Sequence, residues 1–357
     1  MSREDNPSRY AYPVYFAFVF FPLAVLPFQA AQRIALAAGI AATTVSLFFW
    51  LPEVKRSRLY LCIATLFAVA SYPVMLAFQL RQPTIMIAAL LACTFFCMRS
   101  GHLLAAGVLA GLTLAKPHIA APVLLPLVMW SLAEWRTKKS FLLSLVATFI
   151  GLLAAAEAAV PGWIPHWVGT LEAYARYTGA NPPLLDALPR CLYLPVCGLL
   201  VAAIIRVSLN SRLRDPLFAV AFSTAAFELM LPFQIYNELL LLPATLWILA
   251  HKDEIQNKGQ IRGLLWWSSL ALLGAGWTSQ VALTVGDLAF PGSGVKLWQV
   301  PLTAIWLYPW PLFLTLGACA ATSAIAFADD HAQPFLTSAG TWLGFTPSKS
   351  AIPQDGA

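Results

Sequence analysis

Apolar residues gather along this chain into long blocks joined by short polar links, and the blocks set the element count. About eleven segments are almost wholly apolar: 34–51, 59–78, 84–98, 103–115, 119–133, 141–160, 191–205, 217–233, 239–250, 264–285 and 301–327. A perpendicular membrane span needs about 20 residues. Several blocks are shorter, so tilted, half-buried or re-entrant helices are expected among them. Ahead of them, Tyr12 to Phe28 is apolar but cut by Pro13, Pro22 and Pro27, which predicts an interfacial or re-entrant element. The fold class is therefore all-α: a polytopic transmembrane helical bundle of about 10–12 apolar segments. Residues 1–327 form a single multi-spanning membrane domain, and residues 328–357 are expected to be a disordered cytoplasmic tail.

Composition strengthens this assignment. A chain of 357 residues with 59% hydrophobic residues, 11% charged residues and a mean hydropathy of +0.72 has more apolar surface than a soluble domain can hide. Its 13 Trp and 10 Tyr suit interfacial belts, and its 26 Pro suit broken helices whose freed backbone groups are satisfied by neighbours. The net charge of +6 is not a nucleic-acid footprint, because the basic residues sit in short clusters between apolar runs. The partner they imply is the lipid bilayer. The clusters at 52–58, 99–102, 134–140, 206–216 and 251–263 hold 13 of the 22 Lys and Arg and fall on alternate connections, so they are expected to face the cytoplasm. The six cysteines show neither a CxxC pair nor a secreted framework, and Cys93 and Cys97 read as small packing residues.

That orientation places the unusual polar groups on the opposite face. The most informative of them is Lys116-Pro117-His118, wedged between two apolar runs, because a charge at that depth is kept for binding or pairing. Arg81, Gln82, Glu157 and Tyr236-Asn237-Glu238 also lie at outer ends of apolar segments, and a shared outward-facing pocket would bring them together. The alternative is that each snorkels separately to the headgroups. Between residues 161 and 190, Trp163, Trp167, Tyr174 and Tyr177 at helical spacing predict an amphipathic helix on the outer leaflet, placed either to cover that pocket or to act as an anchor.

Four stretches, taken in order, carry a resemblance: RYAYPVYFAFVFFPLAVLPF (Arg9 to Phe28), RQPTIMIAAL (Arg81 to Leu90), LLAAGVLAGLTLAKPHIAAPVLLPLVM (Leu103 to Met129) and YNELLLLPATLWIL (Tyr236 to Leu249). Together they resemble the bacterial glycosyltransferase family 87, polyprenyl-phosphate-sugar-dependent, mannosyltransferase-like membrane proteins with the multi-spanning C-type glycosyltransferase fold. The resemblance implies transfer of a hexose, usually mannose, from a polyprenyl-phosphate donor to a lipid or glycan acceptor of the cell envelope. The reaction is expected on the extracytoplasmic face of the bacterial plasma (inner) membrane. Such a reaction needs a carboxylate as general base and cationic groups that hold the departing phosphate. On the family's Gly-rich helix followed by a Lys-Pro step, Lys116 matches the lysine; it is the expected phosphate partner, with His118 and Arg81 assisting. Gln82, Tyr236, Asn237 and Glu238 are expected in the substrate pocket, Glu238 either as a polar site residue or as the partner of Lys116.

Two departures from the family pattern concern this chain. The family's aspartate is expected in a first loop after an N-terminal helix, yet Tyr10 follows Met1 by only nine residues, so that helix and most of that loop are expected to be missing and Asp5 is the candidate catalytic base. Where relatives carry histidine, this chain has Tyr236-Asn237-Glu238. No Walker loop, dinucleotide fingerprint, HExxH or CxxC pair occurs, so no cofactor and no protein-built metal site are expected. The short loops leave no room for a nucleotide-sugar domain, in line with a lipid-linked donor. The alternatives are a polytopic transporter or lipid flippase and a catalytically silent truncated member. Intramembrane charges and Pro-broken helices serve a carrier as well, but no repeat between the halves is visible.

Overall fold

The structure, a computed structural model, describes residues 12–50, 59, 62–63, 65–66, 71–178, 181–209, 216–232, 235–290 and 299–321. Among these residues there is helix and no strand. The interrupted N-terminal run forms α1 (Val14–Ala24), which Pro13 opens and Pro27 separates from α2 (Phe28–Trp50). The predicted segment 34–51 thus begins several residues early: Ala30, Ala31 and Gln32 are good helix formers that carry the apolar run back to Phe28.

The next apolar segment, predicted over 59–78, does not continue as one helix. Ser71 is extended and Pro73 sits in the first turn of α3 (Tyr72–Gln79), where its missing N–H is harmless. A turn then leads to α4 (Thr84–Arg99), and the two helices meet at 119°. The turn ends α3 in a Schellman arrangement: Gln82 N–H donates to the Ala77 carbonyl at 2.8 Å and Arg81 N–H to Phe78 at 3.2 Å. Arg81 occupies the left-handed position (φ 52°) where glycine is usual.

Two short helices follow, α5 (Leu103–Thr113) and α6 (Pro117–Ala133), broken at Lys116 because Pro117 cannot continue the hydrogen-bond ladder and pushes the residue before it into extended geometry. The 25-residue α7 (Trp135–Ala159) begins directly after Glu134. The basic stretch 134–140 is therefore the first turns of α7 and not a loop. Its Lys138 pairs with Glu134 at 2.9 Å and lies over the Trp130 ring. Leu143, Val146 and Ile150 of α7 are exposed at helical spacing, an apolar stripe turned outward as lipid requires.

The predicted amphipathic helix is present as α8 (Trp163–Thr178), with Trp163 buried and Trp167 half-buried on one face. The short α9 (Pro183–Ala187) leads to α10 (Arg190–Leu209), and α11 (Pro216–Met230) is buried on almost every side. A 3-10 turn, Ile235–Leu241, runs into α12 (Leu242–Ala250); α13 (Lys252–Asn257) precedes the 30-residue α14 (Gln260–Ala289). The last apolar segment is split at Tyr308, ahead of Pro309, into α15 (Gln299–Leu307) and α16 (Pro309–Ala321).

Four stretches among the described residues are long and apolar enough to cross a membrane: α2, α7, α10 and Leu302–Ala321, with the bent pair α3 and α4 as a fifth. The shorter apolar helices pack between them. α5 lies against α4 and α7, α6 against α11 and α10, and α11 against α12 and α16. All six cysteines are free thiols.

Candidate functional site

The break between α5 and α6 delivers Lys116 to the middle of the helix bundle, where it is only 1% exposed. Its Nζ donates to Thr84 Oγ1 at 2.5 Å, at the start of α4, and to Asn237 Oδ1 at 3.3 Å, in the 3-10 turn. Thr84 Oγ1 in turn donates to the same Asn237 oxygen at 2.9 Å, which closes the triangle. The rings of Tyr12 and Tyr236 flank the ammonium, their centroids 5.7 and 5.1 Å from Nζ. Lys116 and Thr84 lie at helix starts and Tyr236 and Asn237 in the 3-10 turn, so breaks in the helices place Lys116, Thr84 and Asn237 in the buried interior.

Charge is the unusual aspect of this cluster. A buried ammonium is costly unless it is paired, yet the acceptors around Lys116 are a hydroxyl, an amide and two aromatic faces. The ion pair with Glu238 entertained from the sequence is not formed: the 3-10 turn places Asn237 toward Lys116 and its neighbour Glu238 elsewhere. Glu238 instead lies within electrostatic reach of Glu228, a buried carboxyl in the last turn of α11.

Gln82 joins the cluster indirectly, accepting from Tyr12 Oη at 3.4 Å. With Arg81 it also lines a groove of about 210 Å³ between α2 and the α3–α4 turn. Arg81 itself is exposed and donates back to the Phe78 carbonyl, so it caps its own helix and does not touch Lys116. His118, in the first turn of α6, opens to the surface within electrostatic reach of Lys116. Glu157 stands apart, accepting from Gly162 N–H at 2.7 Å at the exposed end of α7. Asp5 lies outside the described residues.

The amphipathic helix is tied to the same end of the bundle. Trp163 packs edge-on against Tyr15 with ring centroids 5.8 Å apart, and Tyr15 Oη donates to the Leu114 carbonyl at 2.9 Å, two residues before Lys116. Sequence reasoning passed over several residues here. Thr84 and Tyr12 lie within the quoted stretches but carry no charge to mark them. Glu228 had a signal, a lone carboxylate inside the apolar run 217–233. Among the described residues no three His, Cys, Asp or Glu side chains converge as metal ligands do.

A helical membrane bundle built around a buried cation, with no carboxylate beside it among the described residues, defines an integral membrane protein with a polar site at its core. Residues 10–243, more than half of the chain, match the model of glycosyltransferase family 87, and the chain belongs to that family. It is a membrane glycosyltransferase. No curated protein and no solved structure matches it.

Proposed function

We propose that this glycosyltransferase moves a hexose, mannose in the first instance, from a polyprenyl-phosphate donor to a lipid or glycan acceptor on the extracytoplasmic face of a bacterial plasma membrane. The observation that carries the proposal is Lys116: a fully buried ammonium whose hydrogen bonds go to Thr84 and Asn237 and, among the described residues, to no carboxylate. A lipid-linked phosphate supplies the missing negative charge, in apolar surroundings where that attraction is strong. The leaving group of such a donor is the phosphate, and a point charge held in place by two neutral acceptors stabilises it as the bond to the sugar breaks. The donor reaches Lys116 when Tyr12 and Tyr236, which now face it, part to admit the phosphate. Arg81 and Gln82 line the adjoining groove, and His118 stands at the open side. Asp5 remains the candidate base.

The test uses full-length protein in liposomes, incubated with radiolabelled polyprenyl-phosphate-mannose and a membrane extract as acceptor. Label is expected to leave the donor and appear in a larger lipid or glycan product. Transport of a lipid or solute without any such transfer would hand the site to a carrier.

A further inference from the structure

A second cavity lies on the far side of the 3-10 turn from Lys116. It measures about 210 Å³ and is walled by Leu270, Leu273 and Trp277 of α14, by Ile305 of α15 and by Tyr72 of α3. Besides the Tyr72 and Tyr308 phenols and the Trp277 indole, two polar side chains line it: Glu238, and Ser71 at the start of α3. Ser71 is only 6% exposed, and its Oγ has no hydrogen-bond partner among the described residues. A buried hydroxyl left unsatisfied is destabilising, and Ser71 stands in the wall of the cavity, where a ligand's polar group would satisfy it. Tyr308, by contrast, is already engaged with Thr245 at 2.6 Å.

The lining also bears on the ligand's chemistry. Among the described residues no Lys, Arg or His lines this cavity, so none of them would pair with a phosphate there. The walls are otherwise aliphatic and aromatic, and the rim at Leu66 and Gly274 is exposed surface, so an apolar chain can run outward into lipid. A cavity of about 150 Å³ in an apolar core admits benzene, so this one suits a hydroxyl group together with the first part of its chain.

We infer that this cavity binds the hydroxyl end of a neutral, apolar-chain amphiphile, its O–H donated to Glu238 and its oxygen accepting from Ser71. Resting on the transferase reading, that amphiphile is the acceptor. Asn237 holds Lys116 on one side of the turn and Glu238, the next residue, faces the acceptor cavity on the other. Donor and acceptor sites therefore share one short structural element.

The probe is a dodecyl glucoside bearing a mid-chain diazirine, offered to the full chain in lipid nanodiscs. After irradiation, peptide mass spectrometry is expected to find label on α14 around Leu270 and Leu273. An added Cβ at Gly274 meets nothing within 4 Å, so the backbone accepts a side chain there; Gly274→Phe at the rim is expected to lower the label by about tenfold. Ser71→Ala lowers it by about fivefold, the effect of one neutral hydrogen bond. Methylating the probe's hydroxyls does the same. Label that is indifferent to all three changes overturns the site. Acceptor-free donor hydrolysis reads the Lys116 side separately. Gly274→Phe is expected to leave hydrolysis unchanged while transfer falls. Unchanged transfer with lost labelling removes the acceptor assignment. If the wild type neither hydrolyses nor transfers while the label still responds to the variants, the transferase reading fails and the amphiphile site stands.

Discussion

At Lys116, the hydrogen bonds and the proposed chemistry make separable predictions. Lys116→Ala is expected to lower donor turnover by about 2–4 kcal/mol in transition-state terms, as when one preorganised electrostatic donor is removed. Lys116→Arg recovers only part, because a planar fork does not replace a compact ammonium. Rates of donor consumption by folded variants check both, and an unchanged rate for Lys116→Ala removes the residue from the mechanism. Thr84 provides the structural half of the test. Thr84→Val takes away the 2.5 Å acceptor and leaves a buried charge under-satisfied, which is expected to destabilise the fold by about 1.5–3 kcal/mol, whereas Thr84→Ser restores most of it. Thermal unfolding in detergent gives the measurement; equal midpoints for valine and serine would show that the contact contributes nothing. Lys116 was legible as a buried cation because charge inside an apolar run has few explanations. Its partners were not, since they lie 32 and 121 residues away in sequence and Thr84 has nothing in its type to single it out. Arg81 was legible by its charge, but not its backbone geometry, which makes it the cap of α3 at the edge of the groove.

Among the elements, the approach of α5 to α7 fixes where the α5–α6 break falls, and hence where Lys116 points. Gly107 and Gly111, four residues apart on one face of α5, let the helices meet at backbone distance. A Cβ at Gly107 would stand 1.9 Å from Ser144 Oγ and 2.3 Å from the Phe141 carbonyl; one at Gly111 would stand 2.6 Å from Thr148 Cβ. Gly107→Ala must therefore separate the helices, at an expected cost of about 1–3 kcal/mol for overpacking. Gly151→Ala on the exposed face of α7 meets nothing within 4 Å and serves as the control. Denaturation of both variants in mixed micelles tests this, and equal stability would mean that the close contact is not tight. The existence of these helices was readable from apolar block length. Their breaks were readable where proline marked them, as at Pro117 and Pro309, and not at Ser71, where packing of α3 against the 3-10 turn decides.

Across the whole molecule, α7 makes the topology testable. Its 25 residues rise about 37 Å, more than the roughly 30 Å hydrocarbon core, and its outward stripe of Leu143, Val146 and Ile150 suits lipid, so its two ends belong on opposite sides. The C-terminal end leads to α8, whose Trp163 packs on Tyr15 beside the α5–α6 break; the N-terminal end carries Arg136, Lys138 and Lys139. The bundle's own contacts thus put the Lys116 cluster and α8 together, away from the basic turn. The positive-inside rule then assigns the basic end to the cytoplasm. A cysteine at Lys139 is expected to resist a membrane-impermeant maleimide in intact cells, and one at Leu171 to react, both on a background without the six native cysteines. Both positions are exposed, so accessibility reports sidedness and not burial. Labelling at 139 but not at 171 would invert the protein and place the Lys116 site on the cytoplasmic side, where a lipid-linked donor loses its rationale. Labelling at both would show that α7 does not cross.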